Sequence, residues 1–518
     1  MPRPRQTPRS LAALAVLALA LSGCSSAELA AANGEPADDY GDGDGDPTGE
    51  AEETDTGDPT GAGDGDGDDD STLPGPEDFG PEIAACEPGV AQVIAYGLED
   101  AQAEAAATLV RDHVLHGPGT VPGIPLSAQP FLNHFRFNYP PVEGPEPQIA
   151  GELWKPPVIN ADAPPRYRLQ FAIQGPQVLA EERGPVDLVI VVDLGPSMAG
   201  EPLGLAEEAL AAIESALVPG DRVTLIGAAE EPKLLSSSVI VEGFGPSLLT
   251  GLLGGQSPAG VAKVGAALEL AYETLMPSWE GQGQPRVLLV SNGHFQLDDG
   301  LVGLVEDHAV DGRYLVALGL GEPESFVEAP LRQLALEGRG SLLYDRTADD
   351  LWFDMQGRFA AHMLASATEL ELTLSLPPGL AIRDRDRLSP QANEPELALL
   401  GFNDAIVFHH ELEACAELDP EALIRVELEW TDPATQEAKQ IVWERALGDL
   451  GYGSSATRKG AATVAYVRAL RGYRDGKPRD RRFAAVLDAI SLITEALEGQ
   501  PEDADLIEMS QVLGKLEG

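Results

Sequence analysis

Apolar runs alternate with helical patterns through the middle of the chain. VDLVIVVD (186–193) is apolar on both faces, as a buried parallel strand is, and EPLGLAEEALAAIESAL (201–217) follows with the spacing of an amphipathic helix. The alternation continues through DRVTLIGAA, VGAALELAYETL, RVLLVSNG, RYLVALGLG, SFVEAPLRQLALE and GSLLYD. Repeated strand–helix units predict an α/β fold, a doubly wound and mainly parallel sheet with helices on both faces.

Different patterns flank this central unit. TELELTLSL, AIVFHHELEA and LIRVELEW alternate apolar and polar residues, which predicts an antiparallel sheet, folded as a small sandwich. His409 and His410 are neighbours in one of these strands, so we expect them to face opposite sides. DAQAEAAATLVRDHVLHG predicts a helix before the central unit, and the chain ends in three helical patterns.

The first residues have the pattern of an export signal. Basic residues precede LAALAVLALA, an apolar run too short to span a bilayer. LSGC, which ends at Cys24, resembles the lipobox of bacterial lipoproteins, and this implies that Cys24 is lipidated after cleavage. Ser25 follows, and in Gram-negative lipoproteins a residue other than Asp at this position implies export to the outer membrane. We therefore expect a lipid-anchored protein of the cell envelope, on its periplasmic or outer surface.

A strongly acidic segment follows the signal, from about Glu28 to Glu82. It is rich in Asp, Glu and Gly and contains no Lys or Arg, so we expect a disordered, self-repelling linker. The whole chain has 85 Asp and Glu against 34 Lys and Arg, a net charge of -51, and no basic patch. Nucleic acid is therefore not an expected partner.

Cys86 and Cys415 are the cysteines that remain besides Cys24. An exported protein folds in an oxidising setting, where such residues form disulfides. The sequence does not place their Cα atoms within the ~7 Å that a disulfide needs. A disulfide and two free thiols therefore both stay open.

These patterns divide the chain into six regions. We predict a signal peptide at 1–23, an acidic disordered linker at 24–82, an N-terminal region at 83–176, the central α/β domain at 177–366, a β-rich region at 367–450 and a helical C-terminal region at 451–518.

Several of these segments carry a family resemblance. VVDLGPSM (191–198), the LELAY helix and the strand RVLLVSNGHF resemble a von Willebrand factor A domain. PFLNHFRFNYPP (130–141), RYRLQFAIQG and RDRRFAAVLDAISLI resemble, more narrowly, a family of bacterial A-domain lipoproteins with extra regions on both sides of that domain. The resemblance covers residues from about 95 to 498. It implies a protein-binding or adhesion function.

The same resemblance implies a metal site, whose residues are largely replaced. The family's metal-ion-dependent adhesion site uses Asp-x-Ser-x-Ser, a Thr before a helix and an Asp after a later strand. Asp193 and Ser197 match the first Asp and the second Ser. The other positions carry Gly195, Val261 or Ala262, and Asn292. Mg²⁺ takes six oxygen ligands, and the motif retains a single carboxylate, so we expect a degenerate site and no cofactor.

Two alternatives stay open beside this interpretation. Oxygens of neighbouring residues would rebuild a Mg²⁺ site: Ser257, Ser291, Asp298, Asp299 or Glu201. GPSMA (195–199) is similar to a G-x-S-x-G nucleophile elbow, which would make Ser197 a hydrolase nucleophile with His294, His308, His362 or His409 as its base. In a purely structural role, Ser197 would cap the following helix, and Asp193 would bond the same loop.

The sequence therefore predicts an exported, membrane-anchored lipoprotein without catalytic residues. Its A domain is expected to bind a protein partner or to act in adhesion, independently of a metal ion. The partner itself is not identified by the sequence.

Overall fold

The structure, a computed structural model, describes residues 86–96, 104–157, 165–240, 248–275, 283–383 and 398–517. The predicted signal peptide, the lipidation site Cys24 and the acidic linker lie outside the described residues. The strands are β1 Gln92–Tyr96, β2 Gln148–Trp154, β3 Arg166–Gln174, β4 Val186–Asp193, β5 Arg222–Ala228, β6 Lys233–Ile240, β7 Gln284–Ser291, β8 Tyr314–Leu320, β9 Leu342–Asp345, β10 Ala365–Leu376, β11 Leu380–Ile382, β12 Ala398–Gly401, β13 Ala405–Ala414, β14 Leu423–Thr431 and β15 Ala438–Ala446.

Helices connect and cover these strands. They are α1 Ala105–Leu115, α2 Ala128–His134, α3 Glu201–Ala216, α4 Leu248–Leu253, α5 Val264–Thr274, α6 Asp299–Val310, α7 Glu328–Glu337, α8 Ala348–Trp352, α9 Phe359–Met363, α10 Ser455–Arg474, α11 Arg479–Gly499 and α12 Ala504–Glu517. None of the described helices is both long and apolar enough to cross a bilayer.

The central unit is a six-stranded sheet in the order β6-β5-β4-β7-β8-β9. All neighbouring pairs are parallel except β5 with β6, which is antiparallel at one edge. The chain proceeds outward from β4 in both directions, so the fold class predicted from the sequence is confirmed. The antiparallel edge strand β6 was not predicted, because KLLSSSVI lacks the apolar run of its neighbours.

Both faces of this sheet are covered by helices, as its strands require. Leu188 and Ile190 of β4 pack into one core with residues of α3 and α4. Val189 and Val191 point to the other face, into a core with α5, α6 and α7. Every residue of β4 is buried, which explains why its sequence is apolar without alternation.

The predicted sandwich is present, but it is built from both sides of the central unit. One sheet has the order β1-β10-β14-β15, with β12 paired to β10, and the other has the order β11-β13-β3-β2. The strands β1, β2 and β3 come from the predicted N-terminal region and share one core with the strands of the β-rich region. The predicted division into separate regions at 83–176 and 367–450 is therefore wrong, because strands of both regions form one sandwich. The central unit is inserted into this sandwich. Local patterns do not report pairing between strands so far apart in sequence.

His409 and His410 lie in β13 and face opposite sides, as expected. His409 Nδ1 is 2.8 Å from Oε1 of Gln170 in β3, and His410 Nε2 is 2.8 Å from the hydroxyl of Tyr96. Burial lowers the pKa of His410 to about 3 and the pKa of His409 well below its ordinary value. Each ring is therefore a neutral core residue, engaged with a partner on its own face.

The N-terminal region also contributes to the central unit and to a disulfide. Ala105 and Leu109 of α1 lie in the same core as the β4 residues Val189 and Val191. Cys86, just before β1, is bonded to Cys415, just after β13, with Cα atoms 5.9 Å apart. This covalent link joins the segment before β1, in one sheet of the sandwich, to the end of β13, in the other sheet.

A cluster of buried charges lies where the A domain meets the sandwich. Arg358 follows the helical turn Phe353–Gly357 and forms ion pairs with Glu104, just before α1, and with Asp404, just before β13, at 3.1 Å for Asp404. Asp354 lies 3.8 Å from Arg358 and 3.8 Å from Nε2 of His362. We call Glu104, Asp354, Arg358, His362 and Asp404 the junction cluster. It links three segments that are distant in sequence.

Candidate functional site

The candidate site lies at the carboxyl edge of the central sheet, where β4 and β7 end side by side. In a doubly wound sheet, ligands bind outside this edge, at the point where the strand order reverses. Asp193 ends β4, and Asn292 directly follows β7. Because β4 and β7 are adjacent and parallel, these two residues meet at one edge of the sheet. We call Asp193, Gly195, Ser197, Ser291 and Asn292 the rim site.

Both carboxylate oxygens of Asp193 accept hydrogen bonds inside the protein. The backbone N–H of Gly195 donates to Oδ1 at 2.7 Å, and the hydroxyl of Ser291 donates to Oδ2 at 2.7 Å. The Asp193 side chain is fully buried. Burial raises the pKa of this carboxyl above its ordinary value, while the bonds from Ser291 and Gly195 oppose the rise. The carboxylate is therefore committed to its own loop and to β7.

Ser197 and Asn292 form a second hydrogen-bonded pair. The Ser197 hydroxyl donates to Oδ1 of Asn292 at 3.0 Å, and Nδ2 of Asn292 donates to the backbone carbonyl of Ser197 at 2.9 Å. A carboxylate at position 292 would present only acceptors to that carbonyl, so the amide is what allows the double contact. The two loops are thereby fastened together by neutral groups.

The expected helix cap by Ser197 is wrong. Ser197 lies in a short 3₁₀ turn, Pro196–Met198, and α3 begins only at Glu201. The residue before α3 is Gly200, with φ 87°, and it makes no side-chain cap. The second half of that expectation holds, because Asp193 does bond its own loop through the N–H of Gly195.

The contact between Gly195 and Ala262 shows which residue lies at the position of the family threonine. A Cβ at Gly195 would lie 3.0 Å from Oδ1 of Asp193 and 3.3 Å from Cβ of Ala262. Val261, the other candidate from the sequence, is 73% exposed. Ala262 therefore faces the rim site, and neither Gly195 nor Ala262 supplies a side-chain oxygen there.

The neighbouring residues that would rebuild a Mg²⁺ site lie on other parts of the loops or already make hydrogen bonds. Ser291 bonds Asp193, and the Asp298 side chain caps α6 by accepting from the N–H of Leu301 at 2.9 Å. Three further side chains are exposed on the surrounding loops or first helical turns: Glu201, Ser257 and Asp299. Among the described residues, no group of three or more His, Cys, Asp and Glu side chains could hold a metal ion.

These residues do not fit Mg²⁺, the ion that the family resemblance implies. Mg²⁺ requires near-octahedral coordination by six oxygens. The rim site offers one carboxylate, Asp193, whose two oxygens already accept hydrogen bonds. The Asn292 oxygen accepts the Ser197 hydroxyl, which itself would have to turn toward a metal. A cation here would have to break this network and would gain a single negative charge.

The hydrogen bonds at Ser197 also bear on the hydrolase alternative. A serine nucleophile needs a base within hydrogen-bonding reach. The Ser197 hydroxyl instead donates to Asn292. Of the candidate bases, His294 donates from Nε2 to the carbonyl of Ser325 at 2.6 Å, and His308 stacks on Tyr272 with ring centroids 4.0 Å apart. His362 belongs to the junction cluster and His409 to the sandwich. The Ser197 hydroxyl is bonded to the Asn292 amide and not to any of these rings.

Gly293 is a site residue that the sequence reasoning missed. It has φ +83°, and a Cβ there would collide with the carbonyl oxygen of Val327. The backbone of Asn292 accepts from the N–H of Val327 at 3.0 Å, and the N–H of Gly293 donates to the Ser291 hydroxyl at 3.0 Å. The SNG triplet at the end of a buried strand is the signal that could have identified this turn.

The loops around the rim site present apolar and polar side chains to solvent. Val261 is 73% exposed and Val327 is 36% exposed. Lys263, two residues after Val261, and His294, which follows the glycine packed against Val327, are exposed as well. We call Val261, Lys263, His294 and Val327 the rim surface.

No protein-family model and no curated protein matches the chain. Among solved structures, it is similar to the ArnB paralog VWA2 from Sulfolobus acidocaldarius, with 13% identity over 71% of this chain and 98% of that chain and a TM-score of 0.41. A von Willebrand factor type A protein from Catenulispora acidiphila has 16% identity over 68% of this chain and 88% of that chain, with a TM-score of 0.44. The pilus adhesin SpaC from Lactobacillus rhamnosus GG has 13% identity over 58% and 48%, with a TM-score of 0.29.

Likenesses this distant transfer no function to this chain. The strand order and hydrogen bonds of the central unit establish by themselves that its sheet is doubly wound, with Asp193 and Asn292 at the carboxyl edge. That unit has the doubly wound α/β fold which the sequence predicted, set here into a β-sandwich with three C-terminal helices.

Proposed function

We propose that this protein is a lipid-anchored protein-interaction module of the cell envelope, and that its A domain binds a protein partner through the rim surface without a metal ion. The observation that carries the proposal is the closed hydrogen-bond network of the rim site. Its one carboxylate is buried away from solvent, and both of its oxygens are satisfied by Gly195 and Ser291. A partner carboxylate would therefore meet no cation there.

The rim surface supports direct contact with a protein. Val261 and Val327 offer exposed apolar area at the edge where A-type sheets present their loops. Burying one such side chain in a partner contributes about 1.5–3 kcal/mol. Binding of this kind needs no metal ion and no ionised group at the centre of the interface.

The anchoring part of the proposal rests on the sequence. LSGC and the acidic linker fit a chain that is lipidated at Cys24 and held away from an outer membrane by a self-repelling spacer. Labelling cells with a radioactive fatty acid should mark the wild-type protein, and Cys24→Ser should abolish the label. Label that persists in the variant would refute lipidation at Cys24.

The binding proposal is tested on the full mature chain. A partner is first captured from envelope extract, identified and purified, and its dissociation constant is measured with EDTA and with Mg²⁺. We expect equal affinity under both conditions and a loss of about tenfold or more for Val261→Asp, because a charge would be buried in the interface. The matched control is Val310→Asp, since Val310 is 66% exposed at the end of α6, toward the opposite edge of the sheet.

Each outcome decides between the alternatives. Binding that disappears with EDTA and in Asp193→Ala would favour a rebuilt Mg²⁺ site. Equal weakening by Val261→Asp and Val310→Asp would remove the rim surface from the interface. We propose no catalytic role for Ser197, and hydrolysis of simple esters that is lost in Ser197→Ala would overturn that view.

A further inference from the structure

A cleft of about 350 Å³ lies away from the rim site, between the A domain and the sandwich. One wall is the aromatic segment that begins in the last turn of α2, from Asn133 to Val142. The second wall is formed where β3 ends and β13 begins, and the third carries Phe353 and Arg358 of the A domain. Ligand pockets in proteins have volumes of about 300–1,000 Å³, so this cleft has room for a ligand of about one or two sugar rings.

Planar amide side chains dominate the polar part of the lining: Asn133, Asn138, Gln174, Gln177 and Asn403. Some of them shape the walls, since Asn403 bonds both backbone groups of Val178 and Asn133 accepts from the N–H of Val407. Within the described residues, the side chains of Gln174 and Gln177 make no hydrogen bond. An amide has donors and an acceptor side by side, which suits the hydroxyl groups of a polyol.

Aromatic rings supply the apolar part of the lining. Phe137 and Tyr139 lie with ring centroids 6.2 Å apart, both half-buried in the aromatic segment. The Tyr139 hydroxyl is already fixed, because it accepts from Nε2 of Gln170 at 2.8 Å. The negative face of an aromatic ring attracts the weakly positive C–H groups of a sugar ring. The aromatic rings can therefore contact the C–H face of a pyranose, and the neighbouring side chains of Gln174 and Gln177 can bond its hydroxyl groups.

Arg358 and His134, two of the basic side chains that line the cleft, bring no unpaired charge to it. The Arg358 guanidinium is held by Glu104 and Asp404 of the junction cluster. Burial lowers the pKa of His134, so its imidazole is neutral at pH 7. Arg136 stacks on Phe353 with its guanidinium carbon 3.9 Å from the ring centroid, and its side chain makes no ion pair within the described residues.

We propose that this cleft binds a neutral carbohydrate of about one or two pyranose rings. Gln174, Gln177 and the guanidinium of Arg136 would bond its hydroxyl groups, and Phe137 would lie against a ring face. The net charge of -51 acts against an anionic ligand at long range, while a neutral one is unaffected. This site is independent of the rim surface and of its protein partner.

The test uses the full mature chain and a panel of disaccharides: maltose, cellobiose, N,N′-diacetylchitobiose and, as the acidic counterpart of cellobiose, cellobiuronic acid. Binding is measured by saturation-transfer NMR and titration. We expect at least one neutral disaccharide to bind, and Gln177→Ala and Arg136→Ala each to weaken it about tenfold, since each removes hydrogen bonds to the ligand. Gln177 and Arg136 are exposed, so both variants should fold.

The matched control is Gln511→Ala, an exposed glutamine of α12 outside the cleft, which should leave the dissociation constant unchanged. The proposal is overturned if no neutral disaccharide binds, or if binding is insensitive to both cleft variants. Tighter binding of cellobiuronic acid than of cellobiose would show that Arg136 selects a carboxylate and would overturn the neutral class.

Discussion

The rim site and the junction cluster are both polar and largely buried, yet they are built on opposite principles. The rim site contains one carboxylate, Asp193, surrounded by a backbone N–H, two hydroxyls and an amide. The junction cluster contains a guanidinium, Arg358, facing the carboxylates of Glu104, Asp354 and Asp404. The first satisfies its carboxylate with hydrogen bonds, and the second depends on the Arg358 cation.

The difference shows where this chain uses buried charge. Moving an ion out of water costs several kcal/mol unless an opposite charge and hydrogen bonds replace the solvent. At the rim, Asn292 stands at an acidic position of the family pattern, so Asp193 is the one carboxylate of the rim site, and it is held by hydrogen bonds from Gly195 and Ser291. At the junction, burial opposes ionisation, but Glu104 and Asp404 raise the pKa of Arg358 above its ordinary value. Opposite charges therefore join the central unit to the sandwich, whereas the rim site holds its one carboxylate with hydrogen bonds alone.

The largest expected effect comes from breaking the junction cluster. Arg358→Met should lower the free energy of unfolding by about 3–5 kcal/mol, because Glu104 and Asp404 would stay buried without their cation. Urea unfolding followed by circular dichroism measures this change. Arg383→Met is the control, since Arg383 is 40% exposed in its pairs with Glu411 and Glu413 and should cost less than about 1 kcal/mol. If both variants lost the same free energy of unfolding, the junction cluster would contribute no more to stability than an exposed ion pair.

A second experiment gives the rim the groups it lacks. The triple variant Gly195→Ser, Ala262→Thr, Asn292→Asp restores the family pattern around Asp193. Without metal it should be less stable than the wild type by about 1–3 kcal/mol, because the carboxylate introduced at position 292 could not donate to the Ser197 carbonyl and would add a second buried charge. With Mg²⁺ at about 100 times its dissociation constant, it should regain about 2.7 kcal/mol.

Thermal unfolding with and without Mg²⁺ measures both effects. Gly195→Ser alone serves as the control, since it adds one oxygen and no charge. If Mg²⁺ left the unfolding temperature of the triple variant unchanged, the backbone of the rim site, and not its side chains, would prevent coordination.

The sequence predicted the central sheet better than its surroundings, for a physical reason. VDLVIVVD is buried on both faces, so its apolar run identifies it without knowledge of its neighbours. β6 was not predicted because its sequence contains three serines. It lies at an edge of the sheet, where a strand needs no continuous apolar run. The single sandwich could not be foreseen, since β3 and β13 pair across more than two hundred residues.

At the site, strand ends were predictable and hydrogen bonds were not. Parallel strands place Asp193 and Asn292 at one edge by geometry alone. The choice of Ala262 over Val261 depends on which loop residue turns inward, and the sequence left it open. The expected cap by Ser197 was wrong because α3 starts at Glu201, after Gly200.

A third prediction concerns pH and belongs to the charged side of the comparison. Glu508 of α12 is largely buried, and burial raises its pKa to about 7, with Arg111 opposing the rise. The folded state therefore binds a proton that the unfolded state has released, and stability falls as pH rises from about 4.5 to about 7. The slope from one proton is at most about 1.4 kcal/mol per pH unit.

Glu508→Gln should flatten this part of the profile, because the amide does not titrate. Urea midpoints across the same pH window measure the slope. Glu502→Gln, an exposed glutamate before the same helix, should leave the profile as in the wild type. If the slope were unchanged in Glu508→Gln, groups other than Glu508 would cause the change of stability in this pH range.

The smallest expected effect is at the carboxylate that first suggested a metal site. In Asp193→Asn, one oxygen still accepts from the N–H of Gly195, and the Ser291 hydroxyl can accept from the new amide instead of donating. The buried charge disappears with its desolvation cost, while a charge-assisted hydrogen bond is lost, so stability should change by less than about 1 kcal/mol. Millimolar Mg²⁺ should shift the unfolding of wild type and variant equally, since the acidic linker is present in both. If Mg²⁺ stabilised the wild type and not Asp193→Asn, the rim would hold a cation after all, and its contrast with the junction cluster would disappear.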